Sequence, residues 1–440
     1  MSLSLRELIV QAHAAGLTIH SLDVSVEGER VTSRGAAPFG PDVPHRMYSV
    51  SKSITALGIL LLADEHRVGL SDPIMTHFPE MGVVHPWLAA TRIDDMLAMT
   101  GPHRRTTYVE EHGDWLESYF RVPPTHPPGT VFTYDTSASY VLAALVERLA
   151  GVPLLEYLRP RLLEPLGIGR DARFLTGPEG YSHGGSGLVA RPSDLLSVAE
   201  TIGGGGCFRG ARILPEGVAE LLIERRSDPG MQTWGAPFRA GYGRQVWLPA
   251  DGAWMMFGLG GQIVYGDPAR SVAAVATADT GALTGGDQRF AELLLRALAA
   301  DELTDPGALS APRPPHEPAH ARAVRGRCAA LSGEDAPAEL PLSIDADGGE
   351  VSIHGERLRF STTEPTTATT RMGDAVTTAG WTAPGVLEIM VSAASDDIAS
   401  VRLRLIVTEG NVTVQSLGFG PAMDPAWTFV GSYRAAGIIP

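Results

Sequence analysis

Apolar and polar positions along the chain follow two periods, and the changes of period divide it into three parts. Residues 1–302 mix runs of helical spacing with short β-type runs, which predicts an α/β domain of the α+β type. Residues 303–322 are rich in Pro, Ala and charge and are predicted to be a linker. Residues 323–440 alternate apolar and polar positions in short segments, which predicts a separate all-β module, either a barrel or a sandwich.

The helical spacing predicts five helices in the first part. The stretch that follows Lys52 is apolar on almost every face, so this helix is expected to lie inside the domain. The other predicted helices are Arg6–Ala15, residues 92–99, Ser139–Leu149 before Gly151, and Phe290–Ala300.

Segments of β character occur at both ends of the first part and throughout the last. A hairpin is predicted from Leu22–Val26 and Arg30–Arg34, which flank the turn residues Glu27–Glu29. Four strands of an antiparallel sheet are predicted at Val246–Leu248, Trp254–Phe257, Gln262–Tyr265 and Val272–Ala276, and Val131–Tyr134 is expected to be extended. The last part has strand patterns at Leu340–Ile344, Val351–Ile353, Leu358–Ser361, Val386–Val391, Val401–Val407 and Val412–Leu417.

Charge and composition narrow the class of partner. The net charge of −15 over 440 residues disfavours nucleic acid and anionic membrane surfaces. No uncharged apolar run reaches about 18 residues, and the first residues lack a basic segment followed by an apolar one, so a cytoplasmic location without a membrane span is expected. Cys207 and Cys328 are expected to be free, mostly buried thiols. Neither a metal nor a cofactor is predicted, and the oligomeric state is left open.

The only lysine of the chain, Lys52, lies three residues after Ser49 at the start of the apolar helix. All other residues in the Lys+Arg total of 35 are arginines, which do not lose their proton in proteins. A buried lysine can become neutral and act as a base. Positions i and i+3 share a helix face, so this amine can contact the Ser49 hydroxyl and activate it as a nucleophile.

Three stretches carry a resemblance to a known family: Tyr48-Ser-Val-Ser-Lys-Ser-Ile-Thr, Leu70-Ser-Asp-Pro and Asp95-Met-Leu-Ala-Met-Thr-Gly. They resemble the serine β-lactamase and penicillin-binding-protein superfamily, in particular its class C, esterase and 6-aminohexanoate-dimer-hydrolase-like branch. The resemblance covers roughly residues 18–300. It implies a sheet flanked by helices with an all-helical subdomain, Ser49 as nucleophile and Lys52 as base.

The second family motif, Tyr-x-Asn, corresponds to Tyr134-Asp-Thr136. The resemblance implies that Tyr134 relays a proton to the leaving group, for which a neighbouring ammonium would lower its phenol pKa. Packing of a loop against the next helix is the alternative. Thr136 replaces the family's Asn and is kept as a candidate substrate contact with one hydrogen-bonding hydroxyl.

The third family motif, Lys-Thr-Gly or His-x-Gly, corresponds to Gly258-Leu-Gly260, followed by Gly261 and Gln262. The family's cation is missing here, which disfavours β-lactams and D-Ala-D-Ala peptides as substrates. The resemblance implies an oxyanion hole formed by the N–H groups of Ser49 and Gly261. Gly260 and Gln262 are further candidates for substrate contact. The alternative is a Gly-rich strand start without a catalytic contact.

Three other patterns compete with this site. Gly180-Tyr-Ser182-His-Gly184 matches the nucleophile elbow of α/β-hydrolases, but it lacks the flanking strand and helix, so a glycine-rich loop is predicted. His316 and His320 have a zinc-like spacing that Pro318 interrupts. The segment 103–105, His-Arg-Arg, is predicted to be a solvated cluster rather than the rim of the site.

Taken as a whole, the residues predict a serine hydrolase that cleaves a small-molecule ester or amide through an acyl-enzyme on Ser49. A transacylase that passes the acyl group to an amine or alcohol is the alternative, because nothing in the residues separates water from another acceptor. A catalytically idle binding or sensor protein on the same fold is a minor third hypothesis.

Overall fold

Two antiparallel sheets, one before and one after the segment 303–322, organise the molecule. The computed structural model describes residues 3–109, 113–250, 252–333 and 335–434. The end of the predicted all-β module, 435–440, lies outside the described residues. The mixed α/β part and the separate β module confirm the predicted fold class.

A six-stranded sheet forms the centre of the first part. Its order is β2-β1-β11-β10-β9-β8. The hairpin predicted around Glu27 is β1 and β2, and the four predicted strands are β8 to β11. The strands are β1 (Thr18–Val26), β2 (Glu29–Gly35), β8 (Trp247–Ala250), β9 (Ala253–Gly258), β10 (Gln262–Asp267) and β11 (Val272–Asp279), with β3 (His45–Arg46), β4 (Arg173–Phe174), β5 (Leu188–Ala190), β6 (Cys207–Phe208) and β7 (Ala211–Arg212) in two small accessory sheets.

Helices cover both faces of this sheet because successive strand residues point to opposite sides. Met255 belongs to the core shared with α1 and α10, whereas Met256 belongs to the core shared with α2, α6 and α8. The helices are α1 (Leu5–Ala14), α2 (Val50–Asp64), α3 (Pro86–Ala90), α4 (Ile93–Leu97), α5 (Trp115–Arg121), α6 (Thr136–Ala150), α7 (Leu154–Leu158, continued by a π-helical turn to Leu163), α8 (Pro192–Gly203), α9 (Val218–Ile223) and α10 (Gly286–Leu298).

The predicted helices appear with shifted ends. Gly151, in the left-handed conformation with φ of 74°, ends α6 as expected, but α6 begins at Thr136 rather than at Ser139. Val131–Tyr134 joins no sheet. No single helix of the described residues is long and apolar enough to cross a bilayer, although α6 and the segment Leu154–Leu163, bent by 63°, meet that measure as a pair.

The part after residue 322 is a nearly closed ten-stranded antiparallel barrel, which decides between the two predicted β architectures. The order is β15-β14-β13-β12-β21-β20-β19-β18-β17-β16, and contacts between β15 and β17 bring the two edges together. The strands are β12 (Val324–Ser332), β13 (Glu339–Ile344), β14 (Gly348–Ile353), β15 (Glu356–Ser361), β16 (Thr366–Thr370), β17 (Gly373–Ala383), β18 (Val386–Ala394), β19 (Ile398–Thr408), β20 (Asn411–Phe419) and β21 (Phe429–Arg434).

Four barrel strands were absent from the prediction: β12, β16, β17 and β21. In β16 the run Thr-Thr-Ala-Thr-Thr has no apolar alternation, so the ladder with β17 supplies the order that the pattern lacks.

The connection between α10 and β12 packs against both the six-stranded sheet and the barrel. Asp305 accepts hydrogen bonds from Thr32 and Arg34 of β2, and the Thr378 hydroxyl of β17 donates to Pro312 O at 2.7 Å. The segment predicted as a linker therefore acts as a strap that attaches the barrel to the sheet domain.

Candidate active site

Ser49 lies at the N-cap of α2, immediately before a helix whose residues 50–62 are all buried. An N-cap serine ordinarily uses its side-chain oxygen to accept from the N–H groups of the first turn. Ser49 makes no such capping bond, and its Oγ accepts from Lys52 Nζ at 2.8 Å. The start of a helix carries partial positive charge, which favours a developing alkoxide or oxyanion at this position.

Lys52 is held on the inward face of α2 with 1% of its surface exposed. Besides Ser49, its ammonium group donates to Gly185 O at 2.6 Å. Burial lowers the pKa of Lys52 from 10.5 to about 7, and the carboxylate of Asp135 opposes that fall. A substantial fraction of neutral amine at neutral pH makes this lysine a competent base toward the Ser49 hydroxyl.

Asp135, which the sequence reasoning did not single out, is the ionised neighbour of this lysine. It is buried and caps α6, where its Oδ1 accepts from Ser137 N at 2.8 Å. Burial raises the pKa of Asp135 to about 6, whereas the bonds from Ser137 and the charge of Lys52 lower it. An Asp directly before the first residue of a helix is a typical N-cap. Had the helix been predicted to begin at Thr136, Asp135 would have been recognised as its cap.

Tyr134 lies beside the Lys52 ammonium group. The Lys52 ammonium is 4.9 Å from its ring centroid, the ring stacks on Trp247 at 5.5 Å, and Tyr134 lines the same cavity as Ser49. Burial raises the phenol pKa of Tyr134, and the nearby Ser49 hydroxyl offsets only part of that rise. The net direction is therefore upward, opposite to the lowering expected from a neighbouring ammonium alone. Tyr134 is protonated at neutral pH and fits the role of proton donor.

Thr136 is not among the residues that line the cavity beside Ser49. Its N–H donates to Thr106 Oγ1 at 3.0 Å, and its methyl group lies against Gly185, where an added Cβ would come within 2.4 Å of it. The structure thus places Thr136 behind the loop that holds Lys52.

The loop between β9 and β10 differs most from the sequence-based expectation. Gly260 and Gly261 have φ values of 81° and 84° and form the turn of this loop. Burial raises the pKa of the nearby Asp287 carboxyl, and the N–H groups of these two glycines offset part of that rise. Gln262 is buried; its amide donates to Leu259 O at 3.0 Å and to Ala278 O at 2.9 Å. Gly261 and Gln262 thus shape the loop. Leu259, rather than these residues, lines the cavity with Ser49.

A cavity of about 500 Å³ opens at Ser49. Its walls are mainly aromatic and apolar, and among the described residues that line it the ionisable ones are Tyr134 and Asp287. A neighbouring cavity of about 370 Å³ shares Leu259, Gly285 and Asp287 with it and reaches Ile398 of the barrel. The lining of the first cavity is Ser49, Tyr134, Thr233, Trp234, Phe238, Phe257, Leu259, Gly285, Asp287 and Gln288.

The competing motif around Ser182 is a turn, as predicted, without the strand and helix of a nucleophile elbow. The same turn supplies Gly185 O to Lys52. Its His183 is buried against Trp115, with ring centroids 5.0 Å apart. Burial and the charges of Lys52 and Arg46 lower the pKa of His183 to about 3, so this ring is neutral.

The remaining candidates lie apart from the cavity. His103, predicted to be solvated, is buried with its Nε2 2.8 Å from Tyr119 O, because the ring packs under α5. His316 accepts from Trp381 N through Nδ1 at 3.3 Å, which fits a packing role in the strap. Cys207 and Cys328 are not joined in a disulfide, as predicted.

A helix-flanked antiparallel sheet, with a serine and a lysine at the start of one buried helix and a tyrosine just before another, defines the serine β-lactamase and penicillin-binding-protein class. The family model described as Beta-lactamase matches residues 6–299, and the chain belongs to this family. The resemblance inferred from the three sequence stretches is thereby confirmed.

Individual known proteins are similar to the chain in sequence or in fold. The chain is 27% identical over 255 residues to the 6-aminohexanoate-dimer hydrolase of Paenarthrobacter ureafaciens, a match that covers 53% of this chain and 65% of that protein. The solved structure of EstCE1, a hydrolase with promiscuous acyltransferase activity, has a TM-score of 0.56 at 19% identity and covers 67% of this chain and 97% of its own. The octameric penicillin-binding protein homologue of Pyrococcus abyssi has a TM-score of 0.54 at 15% identity over 97% of this chain and 99% of its own.

Proposed function

We propose that the protein is a serine hydrolase that cleaves an ester or amide of a small molecule through an acyl-enzyme on Ser49. The observation that carries the proposal is the 2.8 Å hydrogen bond between Ser49 Oγ and the buried Lys52 amine, whose pKa is about 7, at the mouth of a cavity. The 6-aminohexanoate-dimer hydrolase among the relatives supports hydrolysis as the reaction type.

In the proposed cycle the neutral Lys52 amine takes the proton of Ser49, whose oxygen then attacks the substrate carbonyl. The protonated phenol of Tyr134 gives its proton to the leaving amine or alcohol. The Lys52 ammonium then reprotonates Tyr134. Water then gives a proton to Lys52 as its oxygen attacks the acyl carbonyl. The bond to Ser49 Oγ breaks, and Oγ takes that proton back from Lys52, which releases the acid and restores Ser49 and the neutral amine.

For the oxyanion hole, the proposed donors are the N–H groups of Ser49 and Leu259, because Leu259 rather than Gly261 is among the residues that line the cavity. Because Gly258 has no side chain, the end of β9 lies close to the backbone just before Ser49. An added Cβ at Gly258 would lie 2.2 Å from Met47 O. Leu259 follows directly and lines the cavity. Backbone donors so placed stabilise a tetrahedral oxyanion without reorganising.

The cavity chemistry supports neutral or amine-bearing substrates with apolar groups. Trp234, Phe238 and Phe257 offer aromatic surface, and the one carboxylate is that of Asp287. No lysine, arginine or histidine lies among the described lining residues to pair with a substrate carboxylate. This composition disfavours β-lactams, in agreement with the missing cation of the third motif.

The test is intact-mass measurement of the protein after exposure to a fluorophosphonate and to a panel of activated esters. We expect one adduct on wild type, mapped to Ser49, and none on Ser49→Ala. Ser182→Ala is the matched control and should label like wild type. A folded wild-type protein without an adduct, or an adduct on Ser182, would refute the proposal.

Acyl transfer to an alcohol or amine is the second candidate. The apolar cavity walls favour an organic acceptor, and EstCE1 is described as having such activity. Product analysis with and without added acceptors separates the two: a transferase gives an ester or amide product at acceptor concentrations far below that of water, whereas a hydrolase gives the free acid throughout.

A further inference from the structure

The residue before the nucleophile has an unfavourable backbone conformation that the barrel holds in place. Tyr48 has a φ of 45°, in the left-handed region that bulky residues rarely adopt. Such a conformation persists when its surroundings determine it, and it recurs at functional sites. Because Tyr48 and Ser49 share a peptide unit, this conformation sets the direction of both the Ser49 N–H and its Oγ.

The tip of the hairpin between β18 and β19, residues 395–398, supplies those surroundings. The Tyr48 hydroxyl donates to Asp397 Oδ1 at 3.0 Å and accepts from the Ile398 N–H at 2.9 Å. The ring itself is buried. The far end of the Tyr48 side chain is thus fixed by two residues that lie some 350 positions later in the chain.

Arg46 completes this cluster. Its guanidinium donates to Asp397 Oδ1 at 2.5 Å and to Asp396 O at 2.9 Å, and it lies 4.6 Å from the Tyr48 ring centroid. A carboxylate that accepts from an arginine and a phenol is held in one orientation by charge-assisted bonds. Because its carboxylate has a fixed orientation, Asp397 can in turn fix the position of the Tyr48 hydroxyl.

The same hairpin tip also reaches the opposite side of the site. The Ile398 side chain fills the space over Gly260, where an added Cβ would lie 2.1 Å from Ile398 Cδ1. One element of the barrel thus contacts both the segment before Ser49 and the loop that carries Leu259.

We propose that Asp397 is a positioning residue for the nucleophile: through the Tyr48 hydroxyl it fixes the peptide unit that orients Ser49. This inference rests on the proposed function, because it assumes that Ser49 is the nucleophile. It assigns the barrel a part in acylation. Small displacements of a reacting group lower the rate strongly, up to about 100-fold for about 1 Å.

The experiment compares Asp397→Asn with Asp396→Asn, its neighbour on the same hairpin tip. The Asp396 side chain pairs with Arg173 and is about half exposed, so it provides a control of equal charge change. Active-site titration with a fluorophosphonate gives the number of reactive Ser49 sites and their rate constant. Activated-ester turnover gives kcat and KM, and a thermal melt checks folding.

We expect Asp397→Asn to lower the labelling rate constant and kcat by about 10-fold, with full titration stoichiometry and KM within about twofold of wild type. Asp396→Asn should stay within about twofold of wild type in all of these. A purely structural role would reduce the number of titrated sites instead and leave the rate constant unchanged. Equal rate constants for the two variants would overturn the proposal.

Tyr48→Phe keeps the ring and removes the hydroxyl, so it tests the same link if Asp397→Asn folds poorly. It should slow labelling to a similar degree, and the double variant should be no slower than Tyr48→Phe alone. Additive losses would overturn the link through the hydroxyl. If wild type does not label at Ser49, the proposed function itself fails; a labelled wild type with an equally fast Tyr48→Phe overturns only the positioning role.

Discussion

Asp135→Asn removes the one carboxylate that opposes the neutral form of Lys52 while preserving the cap of α6. Asparagine is as good an N-cap as aspartate, and its Oδ1 can still accept from Ser137 N. The substitution therefore changes charge with little change of shape. It isolates the electrostatic part of the Asp135 role from its part in folding.

The size of the effect follows from the surroundings of Lys52. A fall in pKa from 10.5 to about 7 corresponds to about 5 kcal/mol of preference for the neutral amine, at about 1.4 kcal/mol per pKa unit. Asp135, whose own pKa is about 6, is mostly ionised where Lys52 titrates, and it favours the ammonium. Removing that charge should lower the Lys52 pKa further, by about one unit for a close opposite charge.

The assay is the pH dependence of kcat/KM for an activated ester. Because the neutral amine is the base, wild-type activity should rise with pH through a midpoint near 7. In Asp135→Asn the midpoint should move to lower pH by about one unit, with the plateau within a few fold. Asp424→Asn makes the same exchange at a cap in the barrel and should leave the profile unchanged. A midpoint that stays in place or moves upward in Asp135→Asn would refute the assignment of Lys52 as the base.

Three further substitutions test other parts of the site. Lys52→Arg should lower kcat to the level of Ser49→Ala, because arginine keeps its charge and cannot accept the Ser49 proton; turnover comparable to wild type would contradict this. Tyr134→Phe should lower kcat by about 100-fold or more while leaving the melting temperature nearly unchanged, since the ring still stacks on Trp247; a small loss would remove Tyr134 as proton donor. Gln262→Leu should reduce the free energy of unfolding in denaturant by about 2 kcal/mol, because the buried carbonyls of Leu259 and Ala278 lose their partner; an unchanged midpoint would show that the amide does not hold the loop.

The parts of the site that lie close together in the sequence could be predicted. Helical spacing brings Lys52 to Ser49, and the apolar character of α2 accounts for the burial that lowers the lysine pKa. The hairpin of β1 and β2 and the end of α6 at Gly151 follow equally from local residue preferences.

The parts of the site that the sequence did not reveal depend on contacts between distant segments. Gly185 O reaches Lys52 across 133 positions, and Asp397 reaches Tyr48 across 349. No local pattern reports such a pairing. The loop between β9 and β10 shows the same limit: its glycines were found, but the residue of the loop that lines the cavity with Ser49 is Leu259.

The single lysine has a consequence for chemical modification. Besides the N-terminal amine, Lys52 is the only primary amine of the chain, and it is almost fully covered by protein. Amine-directed acylating reagents in bulk solution should therefore react slowly with Lys52 in the folded protein. Modification of Lys52 requires that the reagent enter beside Ser49, so a cavity ligand should protect this amine selectively. The protein thus carries its own internal probe of cavity occupancy, without an introduced label.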